Sequence, residues 1–267
     1  MGVAVYPQSG LDADTLLRNA DIALYRAKEQ GRNTYQFYTE GMQQREVMRL
    51  ELDKDLSQAL ANDEFVLFYQ PQLNLQTGEI NSVEALIRWQ HPRRGLLAPI
   101  EFIPLAEASG RITEIGRWGV LAACRQLANW RGTACEQLRI AVNLSGRELD
   151  DESLVEHVRD ALLSEEVDPS MLEVELTEEI FIQNIEHNLN QLSRLHQLGV
   201  QLAIDDFGVG YSSLGYLRDF PVDLLKIDRS FITDVTERHD DAVITRAVIN
   251  LAHNLGIQVV AEGVETE

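Results

Sequence analysis

The stretch Ala203-Ile-Asp-Asp-Phe-Gly-Val-Gly-Tyr-Ser-Ser-Leu214, entered through Val200-Gln-Leu202, decides how the chain is read. An apolar run stops at two adjacent carboxylates, Asp205 and Asp206, and a loop flanked by glycines follows. Neighbouring side chains on a regular strand point to opposite faces. Adjacent carboxylates therefore fit best at the last strand residue, where the pleat gives way to the loop. There they can splay toward different ions, or one can bridge both. Gly208 and Gly210 let the backbone that follows bend close to such a site.

The arrangement repeats along the chain. The strand candidates are FVLFYQ (65–70), INSVEALIRW (80–89), LRIAVNLS (138–145), LEVELT (172–177), VQLAID (200–205), DLLKID (223–228) and IQVVAE (257–262). Amphipathic helices are predicted near 101–108, 113–130, 151–164, 181–197 and 240–255. Strands alternating with helices imply a mainly parallel sheet covered by helices. Only NLQTGE (74–79) separates the first two runs. That is too short for a parallel crossover, so the pair is expected as an antiparallel hairpin.

Upstream the pattern differs. Residues 1–39 read as a short strand (GVAVY), a turn (PQSG) and a helix. The helix carries Leu16, Leu17, Ala20, Ile22 and Ala23 on one face and ends near Gly31. This segment is too short to bury a core alone and looks like the tail of another domain. Residues 40–61 read as a helical connector with Leu52, Leu56 and Leu60 at four-residue intervals. Such a helix is either a spacer or a means of passing orientation between domains and setting dimer geometry.

Composition narrows the function classes. The 267 residues suffice for one large α/β domain plus a fragment. A formal charge of −20 argues against non-specific grip on DNA. No apolar run approaches the roughly 20 residues that span a bilayer, and the first residues lack the features of a signal peptide. Cys124 and Cys135 have no metal-ligand spacing and suit a reducing cytosol, so a cytoplasmic location is expected.

Polar residues gather where the strands end: Glu84, Asn143, Glu175, Asp205, Asp206, Lys226 and Glu262. In a βα barrel those ends share one rim, where such folds place their chemistry. Five carboxylates on one rim repel each other and are costly to desolvate, so either some are protonated or cations neutralise them. Oxygen ligands favour Mg²⁺ or Mn²⁺, and two ions fit the ligand count better than one. Lys226 and Asp228 share a face by the two-residue period. Lys226 is then a salt bridge at the barrel mouth, or a cation that steadies an anionic nucleophile or phosphate. Arg88 is a candidate phosphate fork or a structural ion pair. Two metals beside Lys or Arg suit phosphodiester hydrolysis. A lyase or enolase-like barrel with one Mg²⁺ shares the acidic rim.

The motifs VEALIRW, AVNLS, ELTEE, AIDDFGVGYSSL, LLKIDRSFI and VVAEGVE, in this order, resemble the EAL-domain family of cyclic di-GMP phosphodiesterases from about Asp55 to Glu267. GVAVYP, LLRNADIALYRAKEQGRN and YQFY resemble the C-terminal end of a GGDEF domain, without the GGDEF signature itself. The resemblance implies residues 1–39 as a GGDEF remnant, 40–61 as connector and 62–267 as an EAL domain. It implies an α/β fold, a modified TIM (β/α)8-type barrel with an antiparallel first strand, ending before the family's last strand. It implies hydrolysis of cyclic di-GMP to linear pGpG in bacterial second-messenger signalling, with Mg²⁺ or Mn²⁺.

By matching position, Glu84, Asn143, Glu175, Asp205, Asp206 and Glu262 would be metal ligands. Lys226 would position or help activate the attacking water, and Glu265 would support the site. Gln70, Leu86 and Arg88 would contact the dinucleotide, and Glu178 would brace the loop after Asp206. A homodimer through the EAL domain and upstream GGDEF or sensor domains are implied as partners. Active relatives usually carry Thr where this chain has Val209, and the lost hydroxyl is expected to tune or reduce activity. A catalytically impaired cyclic di-GMP receptor or protein-interaction module is the alternative implied by the same residues.

Overall fold

The computed structural model describes residues 1–29, 33–182, 184–209 and 217–264. The chain forms two compact units, Met1–Asn62 and Asp63–Glu267. In the first, β1 (Gly2–Val3) pairs in parallel with β2 (Gln36–Phe37), and α1 (Ala13–Glu29) packs on β1. The strand read over GVAVY shrinks to two residues, because β2 offers only two residues to pair with. Gly2 is required here: a Cβ would stand 2.0 Å from the Ala20 carbonyl oxygen. Helix α2 (Glu40–Ala59) covers the expected connector; Leu52 and Leu56 are buried and Leu60 is half-buried.

The second unit is built on one sheet. Its strands are β3 (Phe65–Leu73), β4 (Ile80–His91), β5 (Gly95–Leu97), β6 (Arg139–Asn143), β7 (Leu172–Thr177), β8 (Gln201–Phe207), β9 (Leu224–Ile227) and β10 (Gln258–Ala261). Among the described residues the order is β10-β9-β8-β7-β6-β4-β3, with β5 added to β4. The β3–β4 pair is antiparallel, as the short NLQTGE turn requires, and β4 through β10 along the main path are parallel. Strand β5 escaped the sequence reading. It is three residues long, enters through Gly95 at φ +75°, and folds back on the end of β4.

Helices α3 (Pro99–Ser109), α4 (Ile112–Asn129), α6 (Leu154–Ser164), α8 (Ile185–Gln197) and α10 (His239–Asn254) lie close to the expected positions. Shorter helices, α5 (Gly146–Leu149), α7 (Glu178–Ile182) and α9 (Arg229–Ile232), follow β6, β7 and β9. The single helix expected over 181–197 is two, because Asn184 adopts a left-handed conformation (φ 49°) that a continuous helix cannot hold. Likewise α6 begins at Leu154 rather than 151, where Asp151 instead accepts the Ser153 N–H at 3.0 Å and holds a turn.

Strand alternation sorts the side chains. Val83, Ala85, Ile140, Val142, Leu172, Val174, Leu176, Leu202, Ile204, Leu225 and Ile227 face outward into a core shared with the helices. From the helices come Val120, Cys124 and Leu127 of α4, Val155 and Val158 of α6, and Leu192 and Leu195 of α8. Each fully buried aliphatic chain stabilises by roughly 1.5–3 kcal/mol relative to exposure. Cys124 is one of these packing residues, and burial pushes its thiol up to about 12. The alternate residues, among them Glu84, Asn143, Glu175, Asp205 and Lys226, face the other side.

That other side is concave. Strands β4 and β9 lie four places apart in the sheet, which in a flat sheet is about 19 Å at ~4.8 Å per strand. Two extended side chains cannot span that gap, yet Lys226 Nζ on β9 lies 3.3 Å from Glu84 Oε2 on β4. The sheet therefore curls as a barrel sheet does, consistent with accumulated strand twist.

Behind the β6 strand end, Ser145 caps α5, and its N–H and hydroxyl both donate to Glu148 Oε2, at 2.9 and 2.5 Å. Glu148 is 4% exposed. Burial pushes its carboxyl up to about 7, against the two Ser145 hydrogen bonds.

Candidate active site

Lys226 is the centre of the concave face. It is 1% exposed and contacts four carboxylates, Glu84 from within β4 and Glu175, Asp205 and Glu262 from the ends of β7, β8 and β10. Its Nζ lies 2.8 Å from Glu175 Oε2, 2.8 Å from Glu262 Oε1, 3.2 Å from Asp205 Oδ1 and 3.3 Å from Glu84 Oε2. Burial alone would depress the lysine, but Glu175, Glu84 and Asp205 more than reverse this, and its ammonium is held well above the usual lysine range. Lys226 does form ion pairs at the barrel mouth, but with these four carboxylates and not with Asp228 on its own strand face. Strand β9 stops at Ile227, and Asp228 caps α9, accepting the Ser230 N–H at 2.9 Å, while its carboxyl stays beside Asp206.

One ammonium cannot balance the carboxylates around it. Burial raises Glu175 well above the usual carboxylate range, with Lys226 opposing and Glu84 and Asp205 adding repulsion. Burial also raises Glu262, again against Lys226. Asp206 is raised by burial and then by Asp205 and Asp228. Asn143 joins the group without adding charge, its Nδ2 donating to Glu84 Oε1 at 2.8 Å.

The double aspartate is explained by a bulge rather than a strand end. Strand β8 continues to Phe207, and its pairing with β9 shifts register between Ile204 and Phe207. Asp206 sits in this irregularity at φ 55°, so the alternation of faces is broken there. Asp205, Asp206 and Glu262 consequently offer oxygens within 4.8 Å of one another. The following Gly208 has φ +102°, and its N–H donates to Glu178 Oε2 at 3.0 Å. Val209 is 63% exposed. Gly210 and Glu265 lie outside the described residues.

The donor set fits a hard divalent cation. It is all oxygen, it carries excess negative charge, and Glu175 Oε1 is buried with no hydrogen-bond partner. Such an orphaned acceptor is costly unless a cation or proton meets it.

The hairpin flanks this cluster. Gln70 stands opposite Glu84 and is exposed, while Leu86 and Arg88 continue toward the mouth on the same face and are half-buried. Arg88 donates to the Ile87 carbonyl at 2.9 Å, and its guanidinium carbon lies 5.7 Å from the Phe68 ring centroid. Two residues on this face were missed by sequence reading. Phe68 stands opposite Leu86. Glu173 lies one pleat below Glu175, fully buried, with neither oxygen hydrogen-bonded. The E-V-E spacing in LEVELT was the available signal for Glu173.

A curled, mainly parallel sheet that gathers carboxylates around a buried ammonium on its concave face defines a class: a barrel-type domain with an acidic, all-oxygen cluster able to hold a cation. The chain belongs to the EAL domain family, whose profile matches residues 53–267. Residues 1–34 match the diguanylate cyclase, GGDEF domain profile. The chain is 46% identical over 266 residues to the cyclic di-GMP phosphodiesterase NbdA of Pseudomonas aeruginosa, covering 100% of this chain and 34% of that protein. It is 42% identical over 266 residues to the cyclic di-GMP phosphodiesterase PdeR of Escherichia coli, covering 100% of this chain and 40% of that protein. The chain thus spans well under half the length of these relatives. Among solved structures, the PaMucR phosphodiesterase in complex with c-di-GMP superposes with TM-score 0.77 at 45% identity, covering 81% of this chain and 88% of that one. No helix among the described residues is long and apolar enough to cross a membrane.

Proposed function

We propose that this EAL domain is a divalent-cation-dependent phosphodiesterase that hydrolyses cyclic di-GMP to linear pGpG. The observation that carries the reading is the buried Lys226 ammonium, ringed by Glu84, Glu175, Asp205 and Glu262. NbdA and PdeR are named for this activity, and PaMucR holds the dinucleotide on a related scaffold. The retained acidic set does not favour a receptor that has lost turnover.

Glu84, Asn143, Glu175, Asp205, Asp206 and Glu262 would hold Mg²⁺ or Mn²⁺, with two ions suited to the number of oxygens. The ions supply Lewis acidity and offset the negative field that would otherwise repel a diester. Lys226 orients the attacking water and stabilises charge on the phosphoryl oxygens. The water oxygen bonds to phosphorus, one ribose 3′ P–O bond breaks, and the released alkoxide gains a proton. Gln70, Leu86 and Arg88 contact the dinucleotide, with Arg88 as a fork for phosphate. Glu178 braces the loop through Gly208, and Glu265 supports the site.

The remaining assignments belong to the same reading. Residues 1–39 are the end of a GGDEF domain, 40–61 a connector and 62–267 the catalytic domain. It works in the cytoplasm as a homodimer, under upstream GGDEF or sensor domains. A Mn²⁺-supported hydrolysis assay, with products resolved by chromatography, tests the activity. Linear pGpG is expected. Uncut cyclic di-GMP, under conditions where PdeR cleaves it, sinks the reading.

A further inference from the structure

Phe68 is an aromatic side chain on the catalytic face that the roles above leave unused. Register fixes its direction. In β3, Leu67 and Tyr69 pack toward the helices, with Tyr69 5.5 Å from Trp130 between ring centroids. Phe68 and Gln70 alternate with them and so face the concave side. Directly across the hairpin, Gln70 is paired with Glu84 and Phe68 with Leu86. Phe68 therefore lies one pleat, about 7 Å, beyond the Glu84 level toward the mouth.

Phe68 is 47% exposed although it sits in a strand beside a charged cluster. Leaving so much aromatic surface in water forgoes burial energy without any gain in folding. The Arg88 guanidinium lies over the ring at 5.7 Å, within cation–π range. Arg88, Phe68 and Leu86 together form a shelf with a cation for phosphate and a flat apolar surface beside it. In a nucleotide, a ribose separates the phosphate from a planar purine. An aromatic shelf one pleat from the phosphate-handling carboxylates and lysine suits that spacing.

We propose that Phe68 is a substrate-positioning residue that stacks against a guanine base of the dinucleotide and so sets the register of the phosphate over the carboxylate cluster. The assignment rests on the cyclic di-GMP reading above.

Equilibrium binding of cyclic di-GMP, measured by calorimetry in EDTA so that cation-dependent turnover is stopped, tests it on the full chain. The set is wild type, F68A, F68L and F68W, with thermal midpoints recorded for each. F68A and F68L are expected to bind about tenfold or more weakly, F68W within about threefold of wild type, and all midpoints to remain close. F68L binding as tightly as wild type overturns the proposal, because apolar bulk then suffices. Equal affinity across the set overturns it too, as does a loss of affinity that tracks a lowered midpoint. Wild-type protein that does not bind the dinucleotide overturns the substrate reading itself, and this assignment with it.

Discussion

Lys226 Nζ and Glu175 Oε2 stand 2.8 Å apart from inward-facing positions on β9 and β7, two places apart in the sheet, with side-chain exposures of 1% and 0%. Neither charge has water to fall back on. The pair is an attachment point for the rim, since Asp205, Glu84 and Glu262 reach the same ammonium.

Lys226→Met should therefore damage more than catalysis. It leaves Glu175 buried without its cation, a change that typically costs about 3–5 kcal/mol. Urea unfolding of the variant in EDTA should show that loss, and adding Glu175→Gln should recover part of it. A variant as stable as wild type would show that the pair is not a structural element.

Glu148 should make stability depend on pH. Its carboxyl is raised from an ordinary value near 4.5 to about 7 in the folded chain. Between those values the folded state keeps a proton that the unfolded chain has released, so stability falls as pH rises through the window. For this group alone the fall is about 3 kcal/mol. Glu148→Gln should flatten that part of the profile of unfolding free energy against pH; an unchanged slope contradicts the assignment.

Gly208→Ala should be destabilising although it adds only a methyl group. The residue has φ +102°, and a Cβ would meet Phe231 Cε2 at 2.9 Å. Left-handed strain of about 1–2 kcal/mol is expected, with a fall in phosphodiesterase activity because Asp205 and Asp206 immediately precede it. Thermal melts and product chromatography report the two effects separately.

Glu178→Ala should release the Gly208 N–H, whose bond to Glu178 Oε2 measures 3.0 Å. A hydrogen bond to a charged group contributes about 1.5–3 kcal/mol. Activity should drop severalfold, and Glu178→Gln, which keeps an acceptor oxygen, should restore most of it. Equal activity in both variants and wild type would remove Glu178 from the machinery.

Much of the fold was legible from local pattern. LEVELT spans β7 residue for residue, and the NLQTGE turn forced an antiparallel hairpin. The rim residues were legible as well, because polar side chains interrupted runs otherwise suited to burial. Less legible was the split of α7 from α8, which depends on one left-handed Asn184. Strand β5 was invisible because three residues carry no period. Glu173 was passed over although it shares a face with Glu175, because the E-V-E spacing does not say which neighbours an acid deeper in the sheet will meet.

By itself the sequence determined the order of strands and helices, which side chains alternate toward which face, and the chemical kind of the donors: oxygen, with a single buried lysine among them. The tertiary structure alone decided that these donors meet. Curl brings β9 against β4, a bulge at Asp206 turns two successive carboxylates to one cluster, and Asp228 caps a helix beside Asp206 instead of pairing with Lys226. The physical reason is range. Hydrophobic periodicity acts over a few residues, whereas curvature is twist summed across many strands, and a bulge is chosen by the pairing of two strands that the chain joins only after a long excursion.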